Sequence, residues 1–286
     1  MKKLIAAALI VLGGAATNAQ QLSFPGSNLK LFKTPANVKT HTLGTSFGVI
    51  QFVDHATSPL IYIGPNGGLN YGRAYYRDGW SYGAQLGVVG FGATPYTGSS
   101  SSLSTGAIFD LDAWAKFGVF RYENLQVNAG PMITGNSTVR LNPALQNNQL
   151  GFEEFRSLMA KTEVIFAWNR EEAVTKGWWI FNRVLPPVKR DLTLGINIGL
   201  VNYNYRNGFS YIGQSVLIND FVPGDGYEHT YAGSRLELYI SKTRWTPSGN
   251  GLEWSYNFTG FNTGRDQELF GLTQHNIGFT YHIKTN

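Results

Sequence analysis

Apolar and polar residues alternate with a period of two along most of the chain beyond residue 38. Within 104–121, Phe109, Leu111, Ala113, Ala115, Phe117 and Val119 fall on one face, and Asp110, Asp112, Trp114, Lys116 and Gly118 on the other. Within 191–206, Leu192, Leu194, Ile196 and Ile198 oppose Thr193, Gly195, Asn197 and Gly199. Within 230–243, Leu236, Leu238 and Ile240 oppose Arg235, Glu237 and Ser241, and within 251–262, Leu252, Trp254, Tyr256 and Phe258 oppose Glu253, Ser255, Asn257 and Thr259. This spacing puts each set on one side of a sheet. It predicts twelve strands, at 39–53, 62–77, 80–93, 104–121, 125–136, 161–168, 177–184, 191–206, 209–218, 230–243, 251–262 and 273–284. Ten strands result if the weak runs drop out, and fourteen if 137–160 holds a hairpin.

The connections alternate in length. Asp78-Gly79, Tyr122-Glu123-Asn124, Asn207-Gly208 and Pro247-Ser248-Gly249-Asn250 are short. Asp-Gly and Asn-Gly suit two-residue hairpins, whose central positions need positive φ. The connections 94–103, 137–160, 185–190, 219–229 and 263–272 are generally longer. Phe152, Phe155, Leu158 and Met159 in the second of these would also fit a short amphipathic helix over one end of the fold. Trp80, Trp168, Trp178, Trp179 and Trp245 lie beside the turns of the short side, as do Arg77, Arg121, Arg206 and Arg244. Amphipathic aromatics and long basic side chains settle at a membrane–water boundary. A soluble sandwich has no reason to gather them at one end of its sheet.

Composition narrows the class. Residues 1–19 carry a basic start, an apolar run from Leu4 to Ala16 and small residues up to Ala19, which predicts a cleaved signal peptide. Without it the chain has 267 of its 286 residues, and loss of Lys2 and Lys3 lowers the formal charge from +5 to +3. That mild excess argues nothing about nucleic acid, and with no dense basic stripe none is expected as a partner. There is no cysteine, hence neither a lipoprotein anchor nor a disulfide framework. Gly numbers 34 and aromatics reach 14%, which suits sheet rather than helix. Residues 20–38, with two prolines, read as an irregular N-terminal periplasmic segment or plug ahead of the domain at 39–286.

The chain closes on Asn276-Ile277-Gly278-Phe279-Thr280-Tyr281-His282-Ile283, in which Ile277, Phe279, Tyr281 and Ile283 share one face. This stretch resembles the C-terminal signal of bacterial outer-membrane β-barrel proteins, on Asn276, Gly278, Phe279, Tyr281 and Ile283. It departs from that pattern in ending on Ile283, not an aromatic, with three further residues after it. The resemblance implies a single up-and-down antiparallel transmembrane β-barrel of about twelve strands, inserted by the barrel-assembly machinery. Short turns on one side and long loops on the other put both termini in the periplasm.

The inward face of such a barrel is polar, and Asp110, Asp112, Lys116, Arg235, Glu237 and Glu253 are expected there. They would brace the wall across the lumen or select permeating solutes. Two functions follow: a narrow pore or uptake channel for small solutes, or a non-conducting structural or accessory subunit of a larger outer-membrane complex, docking other outer-membrane or periplasmic proteins. A lipid hydrolase is a minor third. Gly44-Thr45-Ser46-Phe47-Gly48 matches the nucleophile-elbow pattern, but that motif works only at a strand-to-helix turn, and here it lies inside a strand. None of His41, His55, His229, His275 and His282 has a serine that spacing alone can place beside it. Asp220, Asp225, Glu228 and His229 lack the spacing of a Ca²⁺ loop. Neither an enzyme, a cofactor nor a metal is therefore expected, and outer-membrane lipid is the expected surrounding.

Overall fold

The computed structural model describes residues 38–285, apart from 57, 78, 98–101, 149, 171, 179–180, 186, 208–226 and 265–268. The expected signal peptide and all of the segment 20–38 except Val38 lie outside the described residues. Ten strands form a closed antiparallel ring: β1 (Val38–Asp54), β2 (Ser58–Arg77), β3 (Trp80–Pro95), β4 (Ser104–Tyr122), β5 (Leu125–Leu141), β6 (Leu150–Arg170), β9 (Val188–Asn207), β11 (Ser234–Trp245), β12 (Gly251–Thr263) and β13 (Phe270–Thr285). The ring closes where β1 pairs with β13 along its whole length, from Lys39 opposite Thr285 to Asp54 opposite Phe270. Closure leaves no open edge, the condition for a sheet to stand in hydrocarbon.

Among the described residues, two short strands, β7 (Val174–Trp178) and β8 (Phe181–Leu185), pair only with each other. The run expected as a seventh wall strand is thus a hairpin outside the ring. A further strand, β10 (Tyr227–Thr230), lies on β9 beyond the end of β11, in one continuous register: Thr230 faces Asn204 as Leu236 faces Ile198. The expected strand at 209–218 lies outside the described residues. With β7 and β8 removed from the wall, β9 runs away from the chain termini. Asn207 therefore arrives at the end opposite the short turns, which corrects its expected place in one of them.

The stretch 137–160 is a hairpin and not a helix or a long loop. β5 continues to Leu141, a 3₁₀ turn spans Pro143–Asn148, and β6 starts at Leu150, opposite Leu141. Its alternation was masked because both faces mix polarity: Glu153, Phe155, Ser157 and Met159 are buried inside, while Phe152, Glu154, Arg156 and Leu158 point out. The turns at the terminal end behave as their sequences demand, with Gly79 at φ +79° and Gly249 at φ +87°, a region open to glycine.

The wall is apolar outside and polar inside. Leu69 and Ile133 are each 62% exposed, Leu43 and Phe47 60%, and Leu86 57%, while Thr134, Asn204 and Glu153 are fully buried. That is the reverse of a water-soluble domain, and a patch of this extent needs a covering medium. Hydrocarbon supplies it.

Candidate functional site in the barrel lumen

Inward positions of seven strands build two polar layers with an aromatic layer between them and the far end. In the terminal half, Lys116 of β4 donates to Glu163 of β6 at 2.7 Å. Asn128 of β5 and Tyr239 of β11 donate to the same carboxylate, each at 2.9 Å. Lys161 lies 4.7 Å above the Tyr239 ring. A second chain of contacts runs from Asp110 through Asn136 to Arg235, then to Glu237 at 2.8 Å, and from Glu237 to Asn197 at 2.8 Å. Asp110–Asn136 and Glu237–Asn197 are ladder partners, and the Asn136–Arg235 bond crosses from β5 to β11, which share no ladder. At the terminal mouth, His282 contacts Glu253 at 3.2 Å and Trp245 donates to Asp191 at 2.5 Å.

A buried quartet bridges the walls at the far end. Arg140 of β5 donates to Asp54 of β1 at 2.6 Å and also pairs with Glu153 of β6. Arg206 of β9 reaches the other oxygen of Asp54 at 2.7 Å. β1 stands across the ring from β5, β6 and β9, so Asp54 ties opposite walls together. Two cations and two anions balance, as burial requires. The rings of Phe52 and Phe270 lie 5.1 and 5.8 Å from the Arg140 guanidinium, and Phe270 lies 5.0 Å from that of Arg206. Beneath them Phe52 stacks on Tyr62 at 5.1 Å, and Phe155 packs on Phe261 at 4.4 Å and on Phe270 at 5.0 Å. Ile50, Val89, Phe91 and Ile108 complete this apolar plug inside the barrel.

All six expected lumen charges occupy inward positions. Arg235 and Glu237 pair directly, Asp110 joins them through Asn136, Lys116 serves Glu163, and Glu253 meets His282 and Thr243. Asp112 sits in the ladder between Gln85 and Thr134. Glu163, buried on the inward face of the expected strand 161–168, was not among the expected lumen charges. The quartet was also missed. Arg206 was assigned to the outer girdle, but a bulge at Leu200 leaves Leu200 and Val201 both facing out and reverses the alternation beyond them. Asn202, Asn204 and Arg206 then turn inward. An abrupt change of phase in "GLVNYNYRN" is the only signal the sequence carries of this.

The girdle residues divide. Trp80 and Trp168 face out, with Trp80 stacked on Tyr82 at 5.2 Å and Arg77 5.6 Å from its ring. Trp245 turns to the lumen instead, where its indole N–H finds Asp191. Trp254, 56% exposed and set edge-on to Phe279 at 4.5 Å, takes an outer place. The side chains of Trp178 and Trp179 lie outside the described residues. In the terminal strand, Phe279, Tyr281 and Ile283 face out while Asn276 and Gly278 face in. A methyl at Gly278 would meet the Ser255 hydroxyl at 2.5 Å, which explains the small residue there.

The sequence pattern 44–48 lies in the middle of β1, paired on both sides, and a Cβ at Gly48 would strike the His275 carbonyl at 1.8 Å. No strand-to-helix turn exists to expose Ser46. His41, His229 and His275 each bond a tyrosine hydroxyl, those of Tyr71, Tyr203 and Tyr256, at 2.6 to 2.7 Å. Among the described residues no three of His, Cys, Asp and Glu group as a metal site. Asp220 and Asp225, and the side chain of Glu228, lie outside the described residues.

No protein-family model matches the chain, and no curated protein matches it in sequence. Among solved structures it is similar to the outer membrane protease OmpT from Escherichia coli, at 10% identity and a TM-score of 0.48, over 90% of this chain and 99% of that one. It is similar to the transport unit of the autotransporter AIDA-I from Escherichia coli, at 9% identity and 0.41, over 94% and 95%. An outer membrane channel from Pseudomonas putida F1 gives 9% and 0.36, over 92% and 100%.

The chain is an outer-membrane β-barrel in architecture. Its own wall decides this: closed, antiparallel, apolar outside and polar within. Inside, side chains from facing strands meet. One cavity between the polar chain and the aromatic plug, lined by Asn136, Thr138, Phe155, Arg235, Phe261 and Gln274, holds about 30 Å³, space for a water or two.

Proposed function

We propose that the protein is a non-conducting outer-membrane barrel, a membrane-anchored structural or accessory subunit. The observation that carries this reading is the Asp54–Arg140–Glu153–Arg206 quartet, which bonds opposite walls through the far end of the lumen above an aromatic plug. Opening a path there separates buried opposite charges, a cost of several kcal/mol unless water replaces every bond. In this reading both termini face the periplasm. The segment 20–38 and the long connections present surfaces to other envelope proteins, and the barrel-assembly machinery reads β13 during insertion.

The narrow pore or uptake channel is the second reading. Both polar side-chain atoms of Asn66 are buried in the lumen with no hydrogen-bond partner among the described residues, which suits a hydrated lumen. In that case the quartet is a gate. The folded protein in a planar bilayer separates the two. A silent bilayer supports the structural subunit. Discrete current steps from wild-type protein would overturn it in favour of the pore.

A further inference from the structure

The charges on the wall are sorted by face. Among the described residues of the ten wall strands, every carboxylate points into the lumen except Glu154, which is paired with Arg156. Basic residues do face out, and on one side of the barrel they are set against each other. Arg190 of β9 and Arg244 of β11 stand directly opposite in the ladder, both outside, near the terminal end. Lys242, also outside, lies one pair further up β11. Like charges directly opposite repel, and no carboxylate among the described residues pairs with any of the three.

The surroundings say what would neutralise them. Trp168 is the cross-strand partner of Arg190 on β6, and Lys242 Nζ lies 6.0 Å from its ring. Trp254 is the partner of Lys242 on β12. Immediately above, Leu192 and Ile240 begin the apolar band. Two arginine forks and an ammonium, framed by two interfacial indoles under a greasy wall, are suited to an anion that carries hydrocarbon.

We propose that Arg190, Arg244 and Lys242 form a binding site for the phosphate of a membrane phospholipid in the leaflet at the terminal end, its acyl chains lying along Leu192 and Ile240. A dissolved anion would use the charges but not the apolar wall above them. The site requires a membrane-embedded barrel and is independent of whether that barrel conducts.

The test uses the full folded chain, delipidated in neutral detergent, with lipid retention read by native mass spectrometry. The probes are phosphatidylglycerol, a diacylglycerol of the same chains, and inorganic phosphate. Wild-type protein should retain phosphatidylglycerol and neither of the others. The Arg190→Gln/Arg244→Gln variant should hold it at least about tenfold more weakly, since charge-assisted contacts are lost. The Arg190→Lys/Arg244→Lys variant should recover most of the binding, and Arg156→Gln at the far end should match wild type. Equal retention by the glutamine variant and wild type would overturn the site. Equal retention of diacylglycerol would reduce it to an apolar seat, and equal binding of inorganic phosphate would make it a free-anion site, each against the proposal. Insertion into liposomes, scored separately by heat-modifiable migration, tests the membrane reading itself.

Discussion

Arg206 on β9 and Asp54 on β1 are 152 positions apart in sequence, and their side chains meet at 2.7 Å inside the barrel. The contact fastens two walls that share no ladder. It is buried on both sides, so it cannot be removed from one partner without stranding charge on the other. Asp54→Ala would leave Arg140 with Glu153 alone. It should cost about 3–5 kcal/mol, read as a fall in the temperature at which the folded band is lost on unheated gels. An unchanged transition would mean the quartet does not brace the barrel.

The terminal network makes a second, independent claim. Lys116 and Glu163 are 2.7 Å apart and both largely buried. In a double-mutant cycle of Lys116→Met and Glu163→Gln, the two changes should be non-additive by roughly 0.5–3 kcal/mol. Additivity in thermal unfolding would show that Asn128 and Tyr239 satisfy Glu163 without the lysine.

Wall orientation is testable at neighbouring positions. Ile133 is 62% exposed and Thr134 is fully buried in the lumen. Ile133→Arg should lower the amount of folded protein in the outer membrane, at a cost of about 2–4 kcal/mol if it lies at mid-depth. Thr134→Ala should insert normally. If the two exchange behaviour, the faces of β5 are reversed.

The terminal strand tests assembly. Tyr281 faces out, 46% exposed, near the end of β13. Tyr281→Asp should reduce heat-modifiable protein in the membrane fraction, through a lipid-facing charge and a disturbed assembly signal. Full insertion of this variant would count against β13 as the strand that the assembly machinery reads.

Topology follows from the proposed orientation. The chain has no cysteine of its own, so single cysteines report cleanly. Replacements at Tyr96 and Ala144, at the far end, should react with an impermeant thiol reagent on intact cells, and one at Ser248 should not. The opposite pattern would put the termini outside.

The sequence by itself determined the kind of wall and most of its faces. Period-two alternation from Phe109 to Val119 and from Leu252 to Phe258 is enough to orient a strand, because each residue has only two sides to choose from. Trp80 and Trp168 beside the short turns were legible as outward-facing, because amphipathic groups partition to an interface, whereas Trp245 and Arg206 face the lumen. Asp110, Asp112, Lys116, Arg235, Glu237 and Glu253 were legible as lumen charges for the same reason. What only the tertiary structure decided was contact across the lumen and the number of walls. The hairpin at Val174–Trp178 and Phe181–Leu185 has strand-like composition, and only its lack of a partner in the ring excludes it. Arg206 faces inward because one extra residue at Leu200 shifts the phase, a local event that alternation cannot anticipate. Arg140, Glu153 and Arg206 come together along the adjacent strands β5, β6 and β9, where Glu153 and Arg206 are ladder partners, but Asp54 on β1 meets them only when the ring closes. Pattern along a chain reports which side a residue faces, whereas pairing through the interior depends on closure, which no single strand carries.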